Sequence, residues 1–150
     1  MKRVFIGEVG VDSGQLVLCD PCYIDSEWKN EDFKDIRVYQ HKTTGVKLQY
    51  GVDFNVYTDP IPSQGGKDMN ELLSTGEWKE LELPPAEHNF SYNACARATL
   101  SEERSGQLNY NAGHPGVAVA FSTAYGDGVY PVYANYDKHG ELISVSVHFQ

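Results

Sequence analysis

Short apolar runs and stretches that alternate with a period of two, separated by turn signals, predict mostly strands along the chain. Val4, Ile6, Val9 and Val11 mark a first strand with a break in step at Gly7. Asp12-Ser13-Gly14 is a turn signal, and residues 15–19 form a second apolar run, so residues 4–19 predict a hairpin. Residues 26–35 are charged around Trp28 and Phe33 and fit a short helix or a loop. Residues 36–40 and 46–50 predict two strands around a Lys42-Thr43-Thr44-Gly45 turn, and Val52, Phe54 and Val56 alternate like a half-buried strand. Two prolines and two glycines make residues 59–67 a loop.

Residues 68–75 predict a short helix, with Asp68 as its cap, Glu71 at the capping-box position and Gly76 as its stop. Residues 78–83 read as a strand ended by Pro84-Pro85. Residues 90–100 carry two readings. Ala94, Ala96 and Ala98 alternate like a strand face, whereas alanine favours helix. Residues 101–104 look like one helical turn ended by Gly106. The last third has the clearest pattern: an almost wholly apolar run at 117–123, a turn at Tyr125-Gly126-Asp127-Gly128, a strand at 130–136, a turn at Asp137-Lys138-His139-Gly140 and an alternating strand at 142–149. Pro131 lacks the N–H that a ladder needs, which predicts an edge strand or a bulge there. The pattern implies a mainly β or α+β domain. The expected architecture is an antiparallel sandwich or partly closed barrel, with one or two short helices and a C-terminal three-strand meander.

The length of 150 residues suits a single domain over residues 1–150. Such a domain buries roughly two-thirds of its unfolded surface, so it needs no metal or disulfide to fold. Tyr supplies 10 of the aromatics, against 6 Phe and 2 Trp, which strengthens the β reading.

The formal net charge of −9 argues against nucleic acid and against anionic membrane surfaces as partners. It leaves a basic protein, a cation or a neutral small molecule, and a small polar ligand or a protein is the expected partner. Met1-Lys2-Arg3 is followed only by Val4-Phe5-Ile6 before Gly7-Glu8, so no leader peptide is expected. Three cysteines close no disulfide framework, and a reducing cytoplasm is the expected location. Apolar strands and sheet edges leave a homodimer open.

Candidate chemistry is sparse. Asp127 lies between two glycines that can aim its carboxylate at a ligand, or it caps a plain turn. Cys19-Asp20-Pro21-Cys22 has the spacing of a zinc half-site or a redox pair. Zinc would need further ligands, of which Cys95, His88 and His114 are candidates, and structural cysteines are the alternative. No cofactor is otherwise expected. His114 lies in the loop Asn111-Ala112-Gly113-His114-Pro115-Gly116, where it suits ligand contact, acid–base work or loop bracing. Tyr125, Tyr130, Tyr133 and Tyr136 can line a pocket or rim a core. Nucleotide-loop, serine-elbow and metalloprotease motifs are absent from the sequence.

Val11-Asp12-Ser13-Gly14, Cys19-Asp20-Pro21-Cys22-Tyr23, Ala98-Thr99-Leu100, Gly106-Gln107-Leu108 and residues 126–133 (GDGVYPVY) together resemble a bacterial and phage family of unknown function, number 4241. The resemblance implies a β-rich intracellular domain with no established activity. It directs attention to Asp20, Tyr23, Asp127 and Tyr130. The expected function is non-enzymatic ligand binding or regulation, with Asp20, Tyr23, His114, Asp127 and Tyr130 as candidate contacts. Two alternatives stand beside it. One is a metal-assisted or cysteine-dependent hydrolase using Cys19 or Cys22 with His114. The other is an accessory or inhibitor protein that binds a basic partner.

Overall fold

The computed structural model describes residues 1–33, 37–81 and 89–149. The chain forms two compact units, Met1–Phe33 with Glu87–Gln150, and Lys34–Ala86. Among the described residues the strands form three antiparallel sheets and no closed barrel, so the fold is mainly β.

In the first unit, β1 (Lys2–Val11) and β2 (Gln15–Cys19) follow one another in the chain. They do not form the expected hairpin. β1 pairs with β8 (Gly128–Tyr136), and β2 pairs with β7 (Pro115–Ser122). The turn at residues 12–14 changes sheet instead of folding back, because it is bonded to the turn that joins β7 to β8. The Thr123 N–H donates to the Gly14 carbonyl at 2.9 Å. The break predicted at Gly7 is a register shift between Phe5 and Gly7 within one continuous strand.

The first sheet has the order β1-β8-β9, with β9 at Leu142–Val147. The second has the order β2-β7-β6, with β6 at Ser105–Asn109, so all but the last residue of the apolar run at 117–123 lies in β7, the middle strand. β7, β8 and β9 follow one another through short turns. β8 and β9 form a hairpin, and β7 lies in the neighbouring sheet.

β8 is the middle strand of its sheet, not an edge, and it has no bulge at Pro131. The Pro131 carbonyl accepts from the His148 N–H at 3.1 Å, beyond the last residue of β9. The N–H that proline lacks would point to the same side, where the ladder has already ended.

Residues 90–100 resolve as helix. Ser91 caps α3 (Tyr92–Thr99) by accepting from the Ala94 N–H at 3.0 Å. Ala94, Cys95 and Ala98 form a narrow apolar face that lies against the second sheet. Phe90, Ala94, Cys95, Ala98, Leu108, Val117, Ala118 and Ala120 make the core there. The approach is close enough that a Cβ on Gly106 would stand 2.9 Å from the Ala98 Cβ. Gly106 is therefore a packing residue inside β6 and not a helix stop. The residues before it, 101–104, are a turn in which Arg104 takes the left-handed φ of 57°.

In the second unit, β3 (Val38–His41) runs between β4 (Lys47–Gln49) and β5 (Trp78–Glu80). The predicted strand starts and ends at Ile36 and Leu83, and the Pro84-Pro85 stop, lie outside the described residues. Asp68 caps α2 (Met69–Ser74) through the Glu71 N–H, as expected, and Gly76 follows at φ 73°. The alternation of Val52, Phe54 and Val56 does not make a strand. The Asp53 carboxylate accepts from the Gln49 N–H and bends the chain, so Phe54 turns into the core while Val52 and Val56 stay exposed.

Candidate functional site

The chain leaves β2 at Cys19 and bends at once. Asp20 caps a 3₁₀ turn over Pro21–Tyr23, and its Oδ1 accepts from the Cys22 N–H at 3.0 Å. Proline at the first position of the turn costs nothing, since the N–H it lacks would have had no partner. This bond holds the Asp20 carboxyl below its ordinary value, so it is an anion at neutral pH. The Cys22 thiol moves the other way, raised first by desolvation and then by Asp20.

Three rings gather on the loops at this end of the sheet, Tyr23 lying three residues after Asp20. Tyr23 meets Tyr110 edge to face at 5.0 Å between centroids, and Tyr110 stacks on His114 at 4.4 Å with the planes 19° apart. The loop that carries the last two rings is closed by its own backbone. The Tyr110 N–H donates to the His114 carbonyl at 2.9 Å, and the Gly113 N–H donates to the Tyr110 carbonyl at 2.8 Å. Gly113 has φ 101°, which a side chain would strain. The Tyr110 hydroxyl bonds the Gly116 carbonyl at 3.3 Å. It also pushes the Tyr23 phenol above its ordinary value.

A second clamp joins the loops. Glu27, the last residue of α1 (Ile24–Glu27), accepts from the Asn111 N–H at 2.7 Å. Sheet register explains why the loops meet. Cys19 is paired with Ala118 and Asn109 with Pro115, so β2 and β6 end where β7 begins. Asp20 and His114 are exposed, and Tyr23 and Tyr110 are half-buried.

Asp127 and Tyr130 lie past the opposite end of β7, at the crossover into β8 and the first sheet. Asp127 accepts from the Gly14 N–H at 2.8 Å. The buried Tyr130 donates its hydroxyl to the Gly126 carbonyl at 2.7 Å, and Thr123 donates to the same oxygen at 2.6 Å. β7 has 8 residues. At roughly 3.4 Å per residue it separates the two groups by about 25 Å. The five candidate contacts therefore do not converge. Asp20, Tyr23 and His114 come together, while Asp127 and Tyr130 brace a crossover.

All three cysteines are free thiols. Cys19 packs beside the α3 core, Cys95 lies within it, and Cys22 is exposed. Burial first, and then Cys19, push the Cys95 thiol up to about 11. Among the described residues no group of three or more His, Cys, Asp or Glu side chains is placed to hold a metal ion. His88 lies outside the described residues.

Tyr110 and Glu27 were not legible as site residues. Tyr110 stands four positions before His114 across a Gly113 turn, a spacing that can return one ring onto another. Glu27 has no local signal, because its partner Asn111 is 84 residues away.

Among the described residues no helix is long and apolar enough to cross a membrane. A family model described as "Protein of unknown function (DUF4241)" matches residues 9–147. No curated protein and no solved structure matches the chain.

Proposed function

The chain belongs to the DUF4241 family, and from this premise we propose that it is a non-enzymatic recognition domain. Its contact site is the Asp20–Tyr23–Tyr110–His114 cluster. The observation that carries this reading is the braced stack of Tyr23, Tyr110 and His114, on loops that also carry the Asp20 anion. A carboxylate and aromatic rings on the same loops suit a cationic group, which the charge attracts and the ring faces attract by their quadrupole. A guanidinium or ammonium on a basic protein partner fits both. The net charge of −9 adds a long-range field that draws such a partner in.

Two features favour binding over catalysis. A thiol nucleophile needs a lowered pKa, whereas desolvation and Asp20 raise that of Cys22. His114 is spent in a ring stack on Tyr110 and has no side-chain hydrogen bond among the described residues.

Calorimetric titration with a short oligo-arginine peptide, against an oligo-glutamate control, tests the reading. Saturable binding to the cationic peptide that weakens with salt is expected. Asp20→Asn, which keeps an acceptor for the Cys22 N–H, should weaken it several-fold, and so should Tyr110→Leu. Unchanged affinity in both variants, or no saturable binding, overturns the site.

A further inference from the structure

On the outward face of the first sheet a guanidinium is held in place with no carboxylate among the described residues to neutralise it. Arg3 lies over the Tyr133 ring at 4.0 Å from its centroid. Its Nη2 stands 2.8 Å from His148 Nε2 and 3.2 Å from Nδ1, against the imidazole ring. His148 meets Tyr133 at 5.0 Å between centroids, and Phe5 meets the other side of the arrangement at 5.8 Å from Tyr133. Side chains from β1, β8 and the residue just past β9 thus fix the plane of the guanidinium. Among the described residues Arg3 forms no ion pair, in a chain with 21 acidic residues and 12 basic ones.

The neighbours on that face supply hydroxyls. Arg3 is paired with Asn135, and Asn135 with Ser144; Phe5 is paired with Tyr133, and Tyr133 with Ser146. Because side chains alternate across a sheet, these positions share one face. Asn135 donates to Ser144 Oγ at 2.9 Å, which leaves the Ser144 hydrogen free. Ser146 Oγ stands 3.2 Å from His148 Nε2. Glu8 reaches the same face, but it is paired with Pro131, beyond the Phe5–Tyr133 pair as seen from Arg3.

We propose that this face binds a tetrahedral oxyanion of the phosphate class, independently of the cation site. The guanidinium fork can take two oxygens of such an anion. A tetrahedral anion has further oxygens to offer the Ser146 hydroxyl and the histidine ring. A planar carboxylate has its two oxygens taken by the fork and leaves those groups unused. The contacts with the Tyr133 and His148 rings already restrict the arginine, so less side-chain freedom is lost on binding.

The test is a nitrogen-15 NMR titration of the full chain with inorganic phosphate at fixed pH and ionic strength, with acetate as the planar control. Saturable shifts at the Arg3 side chain, Ser146 and His148 are expected, with a midpoint on the order of millimolar. Acetate should bind several-fold more weakly. Arg3→Gln, its fold checked by unchanged amide shifts at Leu108 and Val117, should abolish the response. Shifts that stay linear in phosphate, match those with acetate, or survive in Arg3→Gln overturn the proposal.

Discussion

The Asp127 carboxylate accepts a 2.8 Å hydrogen bond from the Gly14 N–H across 113 residues of chain. The bond ties the β1–β2 crossover to the β7–β8 crossover. Both crossovers carry the chain from one sheet of the first unit to the other, so this contact and the Thr123–Gly14 bond beside it keep the two changes of sheet in step.

Asp127→Ala removes the acceptor at an exposed turn, where the Gly14 N–H can turn to water. The expected loss is about 1 kcal/mol, read as a lower urea midpoint with an unchanged slope. Gly14→Ala should cost a similar amount, on the order of 1 kcal/mol, because Gly14 sits at φ 66°. Its added Cβ would meet Gly126 Cα at an ordinary 3.8 Å, so the cost is conformational and not steric.

Gly106→Ala should be the more damaging glycine change. Its Cβ would fall 2.9 Å from the Ala98 Cβ and force α3 off the sheet. Overpacking of this kind costs roughly 1–3 kcal/mol. Ala98→Gly should relieve part of it, so a double-mutant cycle read by urea denaturation should give a favourable coupling of about 1 kcal/mol.

The alternation rule read most of the strands correctly and erred where a tertiary contact outweighed local pattern. Val52, Phe54 and Val56 have the right period, yet the Asp53 bond to Gln49 turns the segment. Residues 4–19 look like a hairpin because Asp12-Ser13-Gly14 signals a turn, and nothing local says that Gly14 will be held by Thr123 and Asp127. Residues 90–100 were ambiguous by alanine spacing alone. The Ser91 cap and the close fit of Ala98 on Gly106 decide for helix. For the site, Asp20, Tyr23 and His114 were legible as polar and aromatic groups at strand ends. Their convergence was not, since it depends on the register that brings Cys19 opposite Ala118.

Cys95 makes stability depend on alkaline pH. Burial raises its folded-state value from 9.0 to about 11, so the folded chain keeps a proton that the unfolded chain gives up. Its contribution is present in full below pH 9 and is lost as pH rises from about 9 to about 11. The loss is on the order of 1–2 kcal/mol. Urea denaturation at pH 8 and pH 10.5 checks the sign. The wild type should lose more stability between the two than Cys95→Ala, and an equal loss would remove Cys95 as the cause.

The cation site is tested most directly by the backbone amide spectrum of the full chain during titration with arginine amide. Saturating shifts are predicted at Tyr23, Tyr110, Asn111 and His114, with Gly14, Gly126 and Tyr130 unmoved at the crossovers past the far end of β7. Shifts gathered at Gly14, Gly126 and Tyr130, or no saturating shifts anywhere, would contradict the assignment.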